Sequence, residues 1–252
     1  MKIRGILKAI LPNSIIDYRR QRIADRIRSR HINTVSISQI GQDYWVYGEC
    51  FNEATGFFLD IGAHDGVFFS NSFILEERYQ WKGICIEANP ATFAKLKKNR
   101  QCRCIDVCVD EKEGQVSFAS KGMWGGIVAE DCDNPDNEDG ADMVTVRAVR
   151  LDELLEEEKA PAIIDYLSID IEGAEDRALL TFPFDKYTFN CITIERPSEA
   201  LREVFAKNGY IMVRDVPEMD VFYIHSSFES RYLRNMYEFS LKKFSIADTY
   251  NW

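Results

Sequence analysis

The sequence lacks an apolar run long enough to cross a bilayer, which takes about 20 residues. It also lacks an excess of basic residues, since 31 Lys and Arg face 41 Asp and Glu and leave a net charge of −10. Because phosphate binding needs a basic surface, this balance argues against a nucleic-acid partner. Only three histidines occur, and none lies near Cys102, Cys104 and Cys108 to complete a zinc site. We therefore predict free, buried thiols in a reducing, cytoplasmic compartment.

What is present points to one α/β domain with extensions at both ends. Hydrophobic residues make up 46% of the chain, enough for a substantial core. We predict a basic helical arm over 1–37, the main domain over 38–227 and a helical tail over 228–252. The first 30 residues hold nine Lys and Arg, with apolar residues at helical spacing. We expect this arm to pack on its own domain or on a second subunit of a homo-oligomer, with peripheral contact to an anionic membrane as the alternative.

From residue 57 onward, short apolar runs alternate with helical patterns, which is typical of a parallel sheet covered on both faces. The sequence thus predicts a doubly wound α/β fold with a mostly parallel, seven-stranded, Rossmann-like sheet. Strands are expected over 57–61, 83–87, 102–109, 163–169 and 190–194, with extra strands over 115–119 and 143–149 and a final antiparallel pair over 210–213 and 221–225. Helices are expected over 70–79, 90–99, 151–158, 173–180 and 199–207.

Carboxylates stand at the ends of four predicted strands, at Asp60, Glu87, Asp170 and Glu195. In an open parallel sheet, ligands bind beyond the carboxyl ends of the strands. Since gathered carboxylates repel one another and lose hydration, their coincidence indicates a ligand site more strongly than any one of them does.

The glycine-rich turn after the first strand indicates which cofactor binds there. Gly62 and Gly66 allow a tight turn and close approach of a ligand to the backbone. A dinucleotide site requires G-x-G-x-x-G with the pyrophosphate on a helix N-terminus, whereas Asp65 here places a negative charge beside that position. S-adenosylmethionine carries no phosphate but has ammonium and sulfonium cations, which suit a ring of carboxylates. A nicotinamide-dependent oxidoreductase is the alternative, and a non-catalytic scaffold on the same fold is a second one.

Other residues complete the predicted cofactor site. Glu87 lies about twenty residues after the loop, where an acidic side chain accepts hydrogen bonds from ribose hydroxyls. Asp106 and Val107, at the end of the third strand, are expected to flank the adenine. The loop residues Ala63 and His64, and the nearby Asn71 and Ala88, are further predicted contacts of the cofactor.

Several separated motifs resemble the FkbM family of methyltransferases. They are FFLDIGAHDGVFFSNSFILE, WKGICIEANPATFAKLKKN, IDYLSIDIEGAEDRALLTFPF and TIER, in the order that the family shows. The similarity extends from about Ser38 to His225, and does not include residues 1–30 or those beyond about 228. This resemblance implies a class I methyltransferase sheet, S-adenosylmethionine as the methyl donor and O-methylation, often of a sugar hydroxyl in a glycan or another small-molecule acceptor.

Three acidic residues are the predicted catalytic groups: Asp170, Glu172 and Glu195. A sugar hydroxyl is a poor nucleophile, so its methylation needs a base or a metal that lowers its pKa. Asp170 and Glu195 are candidates to hold a divalent cation such as Mg²⁺, and Asp170 or Glu172 is a candidate for a direct base. A purely structural role for Asp170, capping the next helix, is the alternative.

Overall fold

The computed structural model describes residues 36–134 and 142–249. The predicted arm therefore falls outside the described residues, apart from its last two positions. Residues 135–141 and the last three residues of the predicted tail also lie outside them. In the described ranges, no helix combines the length and the apolar character that a membrane span requires.

Eleven strands are found in the described residues: β1 Phe57–Ile61, β2 Lys82–Ile86, β3 Arg103–Ile105, β4 Cys108–Val109, β5 Gly114–Ser120, β6 Gly126–Ile127, β7 Asp142–Val149, β8 Ile163–Ile169, β9 Thr188–Glu195, β10 Tyr210–Asp215 and β11 Asp220–His225. The α-helices in the same ranges are α1 Gln42–Tyr44, α2 Phe73–Tyr79, α3 Pro90–Asn99, α4 Leu151–Glu157, α5 Glu175–Leu179, α6 Glu199–Lys207 and α7 Glu229–Thr249. A π-helix, Trp45–Cys50, continues α1, and 3₁₀ turns occupy Gly122–Trp124 and Ser226–Phe228.

The main sheet has seven strands in the order β10-β11-β9-β8-β1-β2-β3. The pairs from β9 through β8, β1 and β2 to β3 are parallel, and β11 runs antiparallel to both β9 and β10. The predicted α/β class and the final antiparallel pair are confirmed. Strands β1, β2 and β8 are buried almost without alternation, as expected where both faces of a parallel sheet are covered.

A second, four-stranded sheet of order β4-β7-β5-β6 lies beyond the main one. It contains the two extra strands that the sequence predicts, paired antiparallel along their length. The predicted continuous strand over 102–109 is wrong, because β3 pairs with β2 whereas β4 pairs with β7 of the second sheet. The chain leaves one sheet and enters the other within two residues, and Asp106 is exposed at this break.

The core includes an aromatic cluster beside the main sheet. Trp45 and Phe58 are fully buried there, and Trp45 contacts Phe222 edge to face with ring centroids 5.0 Å apart. Helix α7 lies in the predicted C-terminal tail, and its Phe239 ring packs 5.6 Å from that of Tyr44. The start of the described chain and its C-terminal helix are thus held together on the same side of the sheet.

Candidate functional site

Two adjoining clefts open at the carboxyl edge of β1, β2 and β8. The open space, including solvent, is about 510 Å³ in the first cleft and about 560 Å³ in the second. Residues shared by both walls are Gly62, His64, Met123 and Asp170. Because Asp170 follows the last residue of β8, the site lies where strand ends meet, as the sequence predicts for a ligand site.

The glycine loop forms the boundary between the two clefts. The backbone N–H groups of Gly62 and Ala63 both donate to the carbonyl of Ile86, each at 3.0 Å, and so fix the loop to the end of β2. Gly62 has φ +85°, and a Cβ atom at this position would lie 1.9 Å from the carbonyl oxygen of Asp170. Only glycine therefore permits this loop to pass so close to the end of β8.

The first cleft places the buried carboxylate of Glu87 beside apolar side chains. Glu87 accepts hydrogen bonds from the backbone N–H of His64 and of Asn89, both at 2.8 Å. Burial raises the pKa of Glu87, and these hydrogen bonds oppose the rise by favouring the charged form. Val107 and Phe118 contribute apolar surface. A carboxylate against apolar walls suits a ribose and a purine ring.

The second cleft is lined by polar groups. Asp60 is 4% exposed and accepts a hydrogen bond from the Ser72 hydroxyl, while burial raises its pKa. Asn71 donates its Nδ2 hydrogen to Ser168 Oγ at 3.0 Å. Within the described part of the chain, no donor reaches the buried Oδ1 of Asn71. Since a buried acceptor without a partner is costly, this atom is available to a donor on a ligand such as an ammonium group.

Three carboxylates converge beside the second cleft. One oxygen from each of Asp170, Glu175 and Glu195 lies within 4.8 Å of the others. Burial raises the pKa of Asp170 well above its usual range, and the nearby carboxylates of Glu195 and Glu172 raise it further. Burial also raises the pKa of Glu175 to about 7, although its Oε1 accepts from the backbone N–H of Ile171 at 2.8 Å. Protons, or a cation, must therefore balance this group of charges.

One arginine connects the carboxylate group to the second sheet. Arg196 Nη2 lies 3.2 Å from Glu195 Oε2 and also pairs with Asp133. The backbone N–H of Asp133 in turn donates to the carbonyl of Glu172 at 3.0 Å. Gly173 has φ +93°, and a Cβ there would meet the Asp133 nitrogen at 2.7 Å. The loop 128–134 is thus seated closely against the end of β8.

The predicted site residues divide into three groups. Residues that line one or both clefts are Asp60, Gly62, Ala63, His64, Asn71, Glu87, Ala88, Val107, Asp170 and Glu172. Glu195 belongs to the carboxylate group, and Gly66 supports the loop by packing against Leu96 and Arg100. Asp106 is exposed and is not among the lining residues, so its predicted contact with adenine has no support from its position.

Sequence reasoning assigned no role to Glu175 or Gln42. Glu175 lies in the first turn of α5 rather than at a strand end, although its place in the Asp-x-Glu-Gly-x-Glu segment was a usable signal. Gln42 lines the second cleft and donates to Asp220 Oδ2 at 2.9 Å. Its segment precedes the first strand, and only the folded chain brings it beside β11.

A glycine loop after the first strand, a carboxylate at the end of the second and further acids at the next strand ends together place the candidate ligand site of this α/β protein at one edge of its main sheet. The model of the FkbM methyltransferase domain matches residues 60–215. Because this match covers more than half of the chain, the protein belongs to the FkbM methyltransferase family. The family's methyl donor, S-adenosylmethionine, fits the residues present, since the first cleft offers Glu87 for a ribose and the second offers the unpartnered Asn71 Oδ1 for an ammonium group.

Comparison with solved structures gives distant similarities. The chain is similar to the METTL16 MTase domain, with 12% identity, coverage of 78% of this chain and 70% of that chain, and a TM-score of 0.46. It is similar to the methyltransferase FkbM from Methylobacillus flagellatus KT, with 13% identity, coverage of 69% and 44%, and a TM-score of 0.44. The N-terminal domain of human METTL16 gives 13% identity, coverage of 79% and 73%, and a TM-score of 0.42. No curated protein matches the sequence significantly.

Proposed function

We propose that this protein transfers a methyl group from S-adenosylmethionine to a hydroxyl of a sugar in a glycan or glycoconjugate. The observation that carries the proposal is the meeting of the two clefts at Asp170, with Glu175 and Glu195 beside it. A hydroxyl acceptor needs its proton removed, and a carboxylate whose pKa is raised is a stronger base than an ordinary one.

Each residue then has a defined task. Glu87 accepts hydrogen bonds from the ribose hydroxyls, with Val107 and Ala88 against the base. Asn71 and Asp60 hold the amino acid end of the cofactor in the second cleft. The sulfonium of the bound cofactor supplies an electrophilic methyl group. Asp170 orients the acceptor hydroxyl and takes its proton, and Glu172 is the alternative base.

A divalent cation such as Mg²⁺ is a second way to activate the hydroxyl. Asp170, Glu175 and Glu195 offer carboxylate oxygens, the ligands that Mg²⁺ prefers. An ion held there would lower the pKa of an acceptor hydroxyl and would balance the negative charge. Arg196 pairs with Glu195 and balances part of the negative charge of the cluster, and a cation would balance more of it.

Calorimetry and turnover assays test the proposal. We expect S-adenosylhomocysteine to bind the wild-type chain and Asp170→Asn alike, whereas methyl transfer to a sugar panel is lost in Asp170→Asn. Asp176→Asn, in the same segment but outside both clefts, is the matched control and should retain turnover. Loss of turnover in chelator, restored by Mg²⁺, supports the cation, and insensitivity to chelator supports the direct base. Absence of cofactor binding in the wild-type chain, or full turnover of Asp170→Asn, would contradict the proposal.

The acceptor class is tested separately. With radiolabelled S-adenosylmethionine, we expect label on glycan or sugar hydroxyls and none on RNA or DNA, because the chain carries net negative charge and the described site is acidic. Label on nucleic acid would refute the proposed acceptor without affecting the proposed cofactor. Label on no acceptor, despite cofactor binding, would favour the scaffold alternative.

A further inference from the structure

A pair of thiols lies outside these two clefts, one on β2 and one directly before β3. The Sγ atoms of Cys85 and Cys102 are 3.5 Å apart. Cys85 is fully buried, while Cys102 is only partly buried and lines a third cleft together with Lys82 and Arg103. This cleft has about 860 Å³ of open space, including solvent, so Cys102 borders space that solvent occupies. All seven cysteines lie in the described residues, and each is a free thiol.

We propose that Cys85 and Cys102 are a modification site that forms a reversible disulfide with a peroxide, and that this bond weakens cofactor binding. The sulfur of Cys102 attacks the O–O bond, giving a sulfenic acid and hydroxide, and its thiol proton converts the hydroxide to water. The Cys85 sulfur then attacks the sulfenic sulfur, the S–S bond forms, and the departing hydroxide takes the Cys85 proton as a second water. Two thiols are oxidised and one peroxide is reduced to two waters.

The positions of the two residues permit the bond. β2 and β3 are parallel neighbours in which Ile84 is opposite Arg103 and Cys85 is opposite Cys104, so Cys85 and Cys102 are diagonal neighbours across the two strands. A disulfide requires sulfur atoms about 2 Å apart, so the pair must approach by roughly 1.5 Å. Cys102 precedes β3, in a turn that adjusts more easily than a central strand does.

A chain of hydrogen bonds connects this turn to the glycine loop. The backbone N–H groups of Gln101 and Cys102 donate to Glu76 Oε1 at 2.8 and 2.6 Å. Glu76 also pairs with the buried guanidinium of Arg100, which donates to the Gly66 carbonyl at 3.2 Å and to Ser72 Oγ at 3.0 Å. Drawing Cys102 toward Cys85 therefore disturbs Glu76 and Arg100, and through them the loop, a coupling that rests on the proposed cofactor site.

Peptide mapping of the full chain tests the modification site directly. Trypsin cleaves after Lys82, Lys95, Arg100 and Arg103, so the three neighbouring cysteines fall in different peptides, 83–95, 101–103 and 104–112. After hydrogen peroxide and alkylation, we expect 83–95 joined to 101–103, released by dithiothreitol. A link from 83–95 to 104–112, or no linked peptide, would overturn the proposal.

Calorimetry with S-adenosylhomocysteine tests the coupling. We expect oxidation to weaken binding by roughly fivefold or more and dithiothreitol to restore it. Cys102→Ser should bind equally well before and after peroxide. Cys104→Ser, the matched control two residues further along the chain, should respond like the wild-type chain. A mapped disulfide with unchanged affinity would refute the coupling. Absence of binding to the reduced chain would refute the proposed cofactor, and peptide mapping would still decide the disulfide.

Discussion

The close contact between Gly62 and the end of β8 can be tested by comparing alanine substitutions at two glycines, Gly62 and Gly41. Gly62 and Gly41 have φ values of +85° and +86°, so alanine at either position adopts the same unfavourable backbone region. This strain costs about 1–2 kcal/mol at each site. The surroundings differ completely, because a Cβ on Gly62 would lie 1.9 Å from the Asp170 carbonyl oxygen whereas a Cβ on Gly41 meets nothing within 4 Å.

The difference between Gly62→Ala and Gly41→Ala therefore measures the close contact alone. Forcing an extra carbon into a packed site costs about 1–3 kcal/mol, which for a chain of this size corresponds to a Tm about 2–12 °C lower for Gly62→Ala than for Gly41→Ala. Relief of the contact must move the loop or the end of β8, so we also expect Gly62→Ala to lose S-adenosylhomocysteine binding, while Gly41→Ala retains it. Thermal unfolding and calorimetry provide both readings. Equal Tm values and equal affinities in the two variants would refute this account of the loop.

Two further substitutions test individual carboxylates. Glu87→Gln should weaken S-adenosylhomocysteine binding by about tenfold or more, because the new amide NH₂ faces a backbone N–H that donates to the carboxylate in the wild-type chain. The control Glu113→Gln, at an exposed position, should bind like the wild-type chain. Equal calorimetric affinities in the two variants would contradict the role of Glu87. Burial raises the pKa of Glu175 from 4.5 to about 7, so the stability that its protonated form contributes is complete below pH 4.5 and is lost as pH rises through 7. The free energy of unfolding of Glu175→Gln, measured in urea relative to that of the wild-type chain, should thus rise by up to about 3 kcal/mol between pH 5 and pH 8. A difference between the two chains that does not change with pH would refute the raised pKa.

The positions of the main-sheet strands along the chain follow from local sequence patterns. The point where the chain leaves this sheet for the second one does not. Buried strands such as β1 and β8 are continuous apolar runs, which the sequence reveals directly. The run over 102–109 has the same character, yet its two halves pair with different sheets. Strand partners are distant in sequence, so periodicity identifies strand character without identifying the partner.

The start of helix α2, which the sequence predicts over 70–79, shows a similar limit. The sequence places it at Ser70, but α2 begins at Phe73. The hydroxyl of Ser70 accepts from the Phe73 N–H at 3.1 Å, and Ser72 is turned toward Asp60. Ser70 thus accepts from the first N–H of the helix without belonging to it, and Ser72 contacts the cleft, and nothing local in the sequence distinguishes these uses from a place within the helix.

The carboxylate group explains why strand-end reasoning located the site yet missed one member. Parallel strands bring Asp170 and Glu195 to one edge, because β8 and β9 are hydrogen-bonded neighbours. Glu175 reaches the same place by a different route, since the tight turn at Gly173 folds the first turn of α5 back onto the strand end. Gathering three carboxylates, two of them buried, costs stability even with Arg196 beside Glu195. The raised pKa values of Asp170 and Glu175 reflect the cost of that arrangement, and a cation entering the site would relieve it by balancing the negative charge.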